Sequence, residues 1–126
     1  MIALVPVGHV DDKLLEVFHK LGPFEFSILD VFPAPSDAYD GLRRQYNALK
    51  MMSCLKGLAS NYGFPKVLGI TQEDIYYRNS TFVFGCAELN GVAAILSIYR
   101  LNTPRKGVLP TRILKEALHE LGHLFG

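Results

Sequence analysis

The sequence predicts an α/β fold of three layers, in which helices pack against a mixed, twisted sheet of about five strands. Three observations predict it. Short apolar runs alternate with amphipathic stretches in the first half of the chain, an Asn-Gly pair separates two further apolar runs, and a long amphipathic stretch follows them. The 126 residues leave room for one hydrophobic core, so we expect residues 1–126 to form a single domain.

Three apolar runs, at 2–7, 24–32 and 66–71, predict the first three strands, because they are short and rich in β-branched or aromatic residues. Helical stretches separate these runs. Strands that are joined by helical crossovers pair in parallel, so we expect the three to form the parallel part of the sheet.

The helices between these strands are bounded by capping and turn residues. Asp11 or Asp12 can cap the first helix. The stretch 33–41 is rich in Pro, Asp and Gly and predicts a loop. We expect the second helix to begin at about residue 42 or 47 and to end at Gly63, since glycine readily adopts the left-handed conformation that stops a helix.

The pair Asn90-Gly91 predicts a β-hairpin between the apolar runs 81–89 and 92–101. Asn-Gly is typical of a type I′ turn, which would place Leu89 opposite Val92 in two antiparallel strands. The run 92–101 is almost wholly apolar, which favours a central position in the sheet. The run 81–89 is then the candidate antiparallel edge strand.

The last predicted helix begins near residue 109 or 110 and carries HELGHLFG at 119–126. Residues four apart share a helix face, so His119 and His123 can bind one metal ion, and Glu120 beside them can hold a water molecule. A helical wheel places all three in one polar arc that faces a cleft or solvent. The opposite arc is apolar and is expected to be buried; it contains Ile113, Leu114, Ala117, Leu118, Leu121, Leu124 and Phe125.

Two histidines at this spacing also occur on helices that bind no metal, so a structural accident is the alternative. The H-E-x-x-H pattern with Gly126 at its eighth position, on a helix with suitable facing, favours zinc. In the longer pattern H-E-x-x-H-x-x-G-x-x-H, glycine turns the chain and a third ligand follows. That ligand would fall beyond Gly126, so we expect a truncated chain that folds but binds zinc weakly and is inactive.

Together with FVFGCAEL at 82–89 and SIYRL at 97–101, this motif resembles the archaemetzincins, a family of metzincin-type zinc metallopeptidases. The resemblance covers the whole chain and implies their N-terminal catalytic subdomain, ending just inside the extended zinc motif. It implies that His119 and His123 are catalytic zinc ligands, Glu120 is the general base, and Gly126 is the turn residue of the motif. It also implies a second, structural zinc that is held by cysteines. Cys54 and Cys86 do not match those cysteines in position.

The expected activity is hydrolysis of peptide bonds in a peptide or protein substrate, with zinc activating the attacking water and Glu120 accepting its proton. An edge strand can hold an extended substrate by strand addition, and our candidates for that role are Phe82, Phe84, Gly85 and Ala87. The alternative is a non-catalytic module that binds peptides or other proteins.

The composition argues against several other classes of protein. The net charge of +1 creates no strong field that would attract nucleic acid or anionic lipid. The apolar runs are far shorter than a membrane span, and two cysteines imply no disulfide framework. We therefore expect a cytoplasmic monomer that binds neither nucleic acid nor membrane.

Overall fold

A computed structural model, which describes residues 1–101 and 108–126, has helices on both faces of a five-stranded sheet and a smaller three-stranded sheet beside it. The helices are α1 (Asp12–Glu16), α2 (Ala48–Tyr62) and α3 (Val108–Phe125). The strands are β1 (Ile2–Val7), β2 (Phe26–Ile28), β3 (Tyr39–Asp40), β4 (Gln45–Asn47), β5 (Lys66–Thr71), β6 (Ile75–Tyr76), β7 (Gly85–Ala87) and β8 (Ala93–Ser97).

The strand order of the large sheet is β2-β1-β5-β8-β7. The pairs β2–β1, β1–β5 and β5–β8 are parallel, and β7 pairs with β8 in the antiparallel direction. This confirms the predicted mixed sheet, with β8 inside it and β7 at its edge. Within the described ranges, no helix has the length and apolarity that a membrane span requires.

Alternate residues of the inner strands face two separate cores. Leu4 and Leu96 face the core that contains α1 and α3, whereas Ala3 and Ile95 face the core that contains α2. Side chains alternate between the two faces of a strand, so apolar residues at successive positions fill both cores. The almost continuous apolar character of these runs is the consequence of this two-sided burial.

Both ends of α2 are capped, and Gly63 is the predicted stop. The Asn47 side chain accepts hydrogen bonds from the N–H groups of Leu49 (2.9 Å) and Lys50 (3.3 Å), and Gly63 ends the helix at φ = 75°. The helix therefore begins at the later of the two predicted positions. The earlier position is wrong because residues 39–47 form the antiparallel pair β3–β4 instead.

Two predicted segments differ from the structure in extent. The predicted loop 33–41 contains a 3₁₀ turn at Ser36–Ala38 and strand β3. Of the predicted strand 24–32, only Phe26–Ile28 pairs continuously with β1, followed by a single bridge between Phe32 and Val7. The predicted loop and the predicted strand are therefore each correct only in part.

The hairpin has the predicted direction and register, with Ala87 opposite Ala94, but its strands are shorter and its turn is not type I′. Asn90 has φ = 53°, whereas Gly91 has no positive φ. The last hydrogen-bonded pair is Glu88–Ala93 (N···O 3.0 Å), so the loop contains four residues rather than two. The Glu88 carboxylate stabilises this wider loop by accepting from the N–H groups of Val92 and Ala93, each at 3.0 Å.

The buried Asp74 carboxylate ties strand β4 to Arg100, which follows β8. Arg100 donates from Nε and Nη2 to the two Asp74 oxygens, each at 2.9 Å. Gln45 Nε2 donates to Asp74 Oδ2 at 2.9 Å and to the carbonyl of Thr81 at 2.8 Å. Burial acts to raise the pKa of Asp74, but the hydrogen bonds from Arg100 and Gln45 and the charge of Arg100 outweigh it, so the pKa lies below its ordinary value.

Asp74→Asn should lower the free energy of unfolding by about 2 kcal/mol at neutral pH, because Arg100 loses its charged partner. The pKa of Asp74 is lower in the folded than in the unfolded protein. Its contribution is therefore complete above the unfolded pKa of about 3.9 and is lost as the pH falls through the folded pKa. Urea unfolding between pH 7 and pH 2 measures this, and the difference between wild type and variant should shrink towards pH 2.

The matched control is Asp30→Asn, which removes an exposed carboxylate and should leave the unfolding free energy unchanged. A difference between wild type and Asp74→Asn that stays constant across this pH range would contradict the assigned role of the carboxylate.

Candidate metal centre

A stripe of fully buried apolar residues sets the rotation of α3 about its axis. Ile113, Ala117, Leu121 and Leu124 follow one another at intervals of three or four residues and have no exposed surface. They pack in the core beneath β8, and α3 also contacts β7. This packing confirms the predicted apolar face of the helix.

The buried stripe is narrower than the predicted apolar arc. Leu118 and Phe125, which the helical wheel places in that arc, are 50% and 48% exposed, so their predicted burial is wrong. The Phe125 ring lies at the margin of the core, 5.6 Å between centroids from the ring of Phe24. Leu118 and Phe125 lie at the same edge of the predicted arc, whereas Ile113 at its other edge is fully buried.

His119 and His123 lie next to this stripe, and both side chains are exposed. Their Nε2 atoms are 3.3 Å apart, and the two rings are nearly perpendicular with centroids 4.7 Å apart. One ring nitrogen of each histidine and one carboxylate oxygen of Glu120 all lie within 4.8 Å of one another. The three predicted residues are therefore brought together, with donor atoms close enough to surround a single ion.

Glu120 differs from the prediction, because it is only 4% exposed although the helical wheel places it in the polar arc. Its side chain lies against the backbone of β7 at Gly85, where the absence of a side chain leaves room for the carboxylate. Burial raises the pKa of Glu120 to about 7, opposed by the charge of His123 and reinforced by that of Glu116. A carboxyl group with this pKa can both accept and release a proton near neutral pH.

The end of α3 is tied to the hairpin loop. The Asn90 N–H donates to the carbonyl of His123 at 3.0 Å, and Lys66 Nζ donates to the carbonyl of Leu124 at 3.2 Å. Gly126 has φ = 84°, in the left-handed region that the sequence predicts for it, and the Asn90 side chain lies where a Cβ at this position would be. These contacts fix the turn of helix that carries His123.

The four candidate edge residues divide into two groups. Gly85 and Ala87 lie in β7, whereas Phe82 and Phe84 precede it. The Phe82 ring lies under the Arg100 guanidinium (4.0 Å to the centroid) and packs edge-on against Phe84 at 5.3 Å. The placement of the two phenylalanines within the edge strand is therefore wrong: they form an aromatic cluster at its start.

The orientation of the β7 backbone follows from two hydrogen bonds to β8. Ser97 N–H donates to the carbonyl of Phe84 at 2.8 Å, and Glu88 N–H donates to the carbonyl of Ala93 at 3.0 Å. In an antiparallel pair, the backbone N–H and C=O groups of every second residue face the partner strand, and those of the residues between face away from it. The N–H and C=O groups of Gly85 and Ala87 therefore face away from β8, along the open edge of the sheet.

Sequence reasoning missed the contact of Gly85 with Glu120 and that of Asn90 with His123. A glycine inside an apolar strand is the signal that could have indicated a close approach at residue 85. Neither contact follows from periodicity, because each joins residues that are more than thirty positions apart.

Comparison with known proteins gives concordant results. The sequence model described as peptidase family M54 matches residues 14–126. Archaemetzincins from Methanocaldococcus jannaschii and Haloquadratum walsbyi are 38% and 41% identical to this chain, with alignments that cover 99% and 100% of it and 72% and 79% of those proteins.

The crystal structure of archaemetzincin from Archaeoglobus fulgidus, complexed with malonate, matches with a TM-score of 0.86 and 34% identity, over 99% of this chain and 77% of that one. A zinc-dependent peptidase from Methanocorpusculum labreanum matches with a TM-score of 0.81 and 28% identity, over 100% and 81%. Since the fold, the H-E-x-x-H helix and these comparisons agree, the chain belongs to peptidase family M54, the archaemetzincins.

Proposed function

We propose that this chain carries the metal-binding part of a zinc metallopeptidase, with His119 and His123 as zinc ligands and Glu120 as general base. The observation that carries the proposal is the convergence of two imidazole nitrogens 3.3 Å apart beside a buried carboxylate. We also propose that residues 1–126 act as one subdomain of the catalytic unit. The predictions of a cytoplasmic location and a monomeric state are part of the same proposal.

The donor set fits zinc. Imidazole nitrogens are common zinc ligands, and two of them four residues apart on one helix face can share an ion. Bound zinc would act as a Lewis acid towards a substrate carbonyl and a water molecule. The second, structural zinc that the resemblance implies stays a prediction, and we assign neither Cys54 nor Cys86 to it.

Glu120 is suited to move a proton between water and the leaving amine. Its side chain is enclosed between α3 and β7, and burial places its pKa at about 7. An ionised Glu120 would take a proton from the water that attacks the peptide carbonyl, and the resulting carboxylic acid would protonate the departing amine. In the metal-free protein, this pKa leaves both protonation states of Glu120 accessible near neutral pH.

The open edge of β7 supports the proposed mode of substrate binding. The outward N–H and C=O groups of Gly85 and Ala87 can pair with an extended peptide, which adds a strand to the sheet. The same strand contacts Glu120, so a peptide paired there would lie beside the proposed base. Phe84, which directly precedes β7, lines a cleft beside α3 together with Arg112 and Lys115.

Zinc titration of the 126-residue chain tests the ligand assignment. Two imidazoles supply half of a tetrahedral shell, so we expect a dissociation constant of roughly micromolar or weaker at pH 7, and no peptide cleavage. Calorimetry should show binding that His119→Ala or His123→Ala abolishes. His9→Ala is the control, because His9 is an exposed histidine outside this site, and it should not change the affinity. Nanomolar binding without a ligand from a second molecule would contradict the expected incompleteness of the site.

Glu120→Gln tests the proton-transfer role in the zinc-loaded natural gene product. The amide keeps the size of the side chain but cannot accept the proton, so kcat should fall by at least about 100-fold while the zinc content stays at the wild-type value. Glu25→Gln, at an exposed position, is the control and should retain full activity.

Hydrolysis at the wild-type rate by Glu120→Gln would show that another group activates the water. Zinc binding without any hydrolysis by the wild-type protein would instead support the alternative of a non-catalytic peptide-binding module.

Ala87→Pro tests the edge strand. Proline removes an N–H that faces away from β8, so the fold should persist while the KM of the zinc-loaded natural gene product rises by at least about tenfold. The matched control is Ile28→Pro in β2, at the opposite edge of the sheet. The Ile28 N–H also faces outward, because Leu29 N–H donates to the carbonyl of Leu4 at 2.9 Å, and KM should not change. A normal KM and normal thermal stability in Ala87→Pro would exclude β7 from substrate binding.

A further inference from the structure

We propose that Gly85 is a positioning residue for Glu120, an inference that rests on the proposed function. A Cβ built on Gly85 would lie 2.9 Å from both Cγ and Cδ of Glu120, and closer still to Oε2. Carbon atoms in ordinary contact are about 3.5–4.0 Å apart. Any side chain at this position must therefore displace the Glu120 carboxylate from the place it occupies.

The requirement for glycine at residue 85 is one of space and not of backbone conformation. Gly8, Gly63 and Gly126 have positive φ, which favours glycine for conformational reasons, but Gly85 does not. Gly57 in α2 has no atom within 4 Å of a Cβ position. Gly85 thus combines a backbone conformation that alanine adopts freely with a neighbour that alanine would strike.

The contact joins substrate binding to proton transfer through one residue. The outward N–H and C=O groups of Gly85 lie on the proposed substrate edge of β7, while its Cα bounds the space of the Glu120 carboxylate. The strand backbone therefore sets the distance between a paired peptide and the proposed base. A misplacement of about 1 Å in a catalytic group can reduce the rate about 100-fold.

Gly85→Ala should leave the fold intact, because the flexible Glu120 side chain can rotate away from the added methyl group. In the zinc-loaded natural gene product, we expect kcat to fall by about 10- to 100-fold with KM and zinc content close to those of the wild type. Gly57→Ala is the matched control, since it adds the same methyl group in open space, and it should retain full activity.

A double-mutant cycle separates an effect through Glu120 from a general one. If Gly85 acts by placing Glu120, the same substitution in a Glu120→Gln background should change the residual kcat by less than about threefold. An equal loss on both backgrounds, an unchanged kcat, or a rise in KM alone would overturn the inference. Full activity in Glu120→Gln would instead refute the proposed function, so the two failures can be told apart.

A crystal structure of Gly85→Ala supplies a readout that does not need activity. We expect the Glu120 carboxylate to move by about 1 Å or more while His119 and His123 stay in place, and an unmoved carboxylate would overturn the inference. If Gly85→Ala does not fold, adding Glu120→Ala removes the clash and should restore folding. Failure of that double variant to fold would equally overturn it.

Discussion

The packing of α3 against the large sheet is the constraint on which the candidate metal centre depends. Ile113, Leu121 and Leu124 are fully buried, and burying each contributes about 2 kcal/mol. A rotation of the helix by one residue, about 100°, would bring these side chains into water. The direction in which His119 and His123 point is therefore fixed by apolar residues that take no part in metal chemistry.

A second contact adds what the helix cannot supply by itself. The edge hairpin touches α3 at Glu120 through Gly85 and at His123 through Asn90, so two of the three site residues are held from outside the helix. The hairpin also contacts α2: Cys86 lies in the core that contains this helix, and Lys56 Nζ donates to the Glu88 carboxylate at 3.0 Å. The strand that would hold a substrate and the helix that would hold the metal thus belong to one connected structure.

Local patterns predicted much of this arrangement. The buried stripe of α3, the Gly63 stop of α2 and the hairpin register all follow from residues that are close in sequence, so periodicity and turn propensity suffice to find them. The turn type and the burial of Glu120 could not be predicted in the same way. The turn depends on where the Glu88 carboxylate finds partners, and the burial depends on a strand backbone thirty-five residues away.

The burial of Glu120 is unfavourable in the absence of a positive charge nearby, and this links the base to the metal ligands. Burial raises the pKa of Glu120 to about 7, so a proton on this carboxyl group is accessible near neutral pH without metal. A cation held by His119 and His123 would favour the ionised carboxylate. Metal binding and ionisation of the base are therefore coupled. The buried carboxylate with its raised pKa thus lies beside the two histidines that would hold the cation.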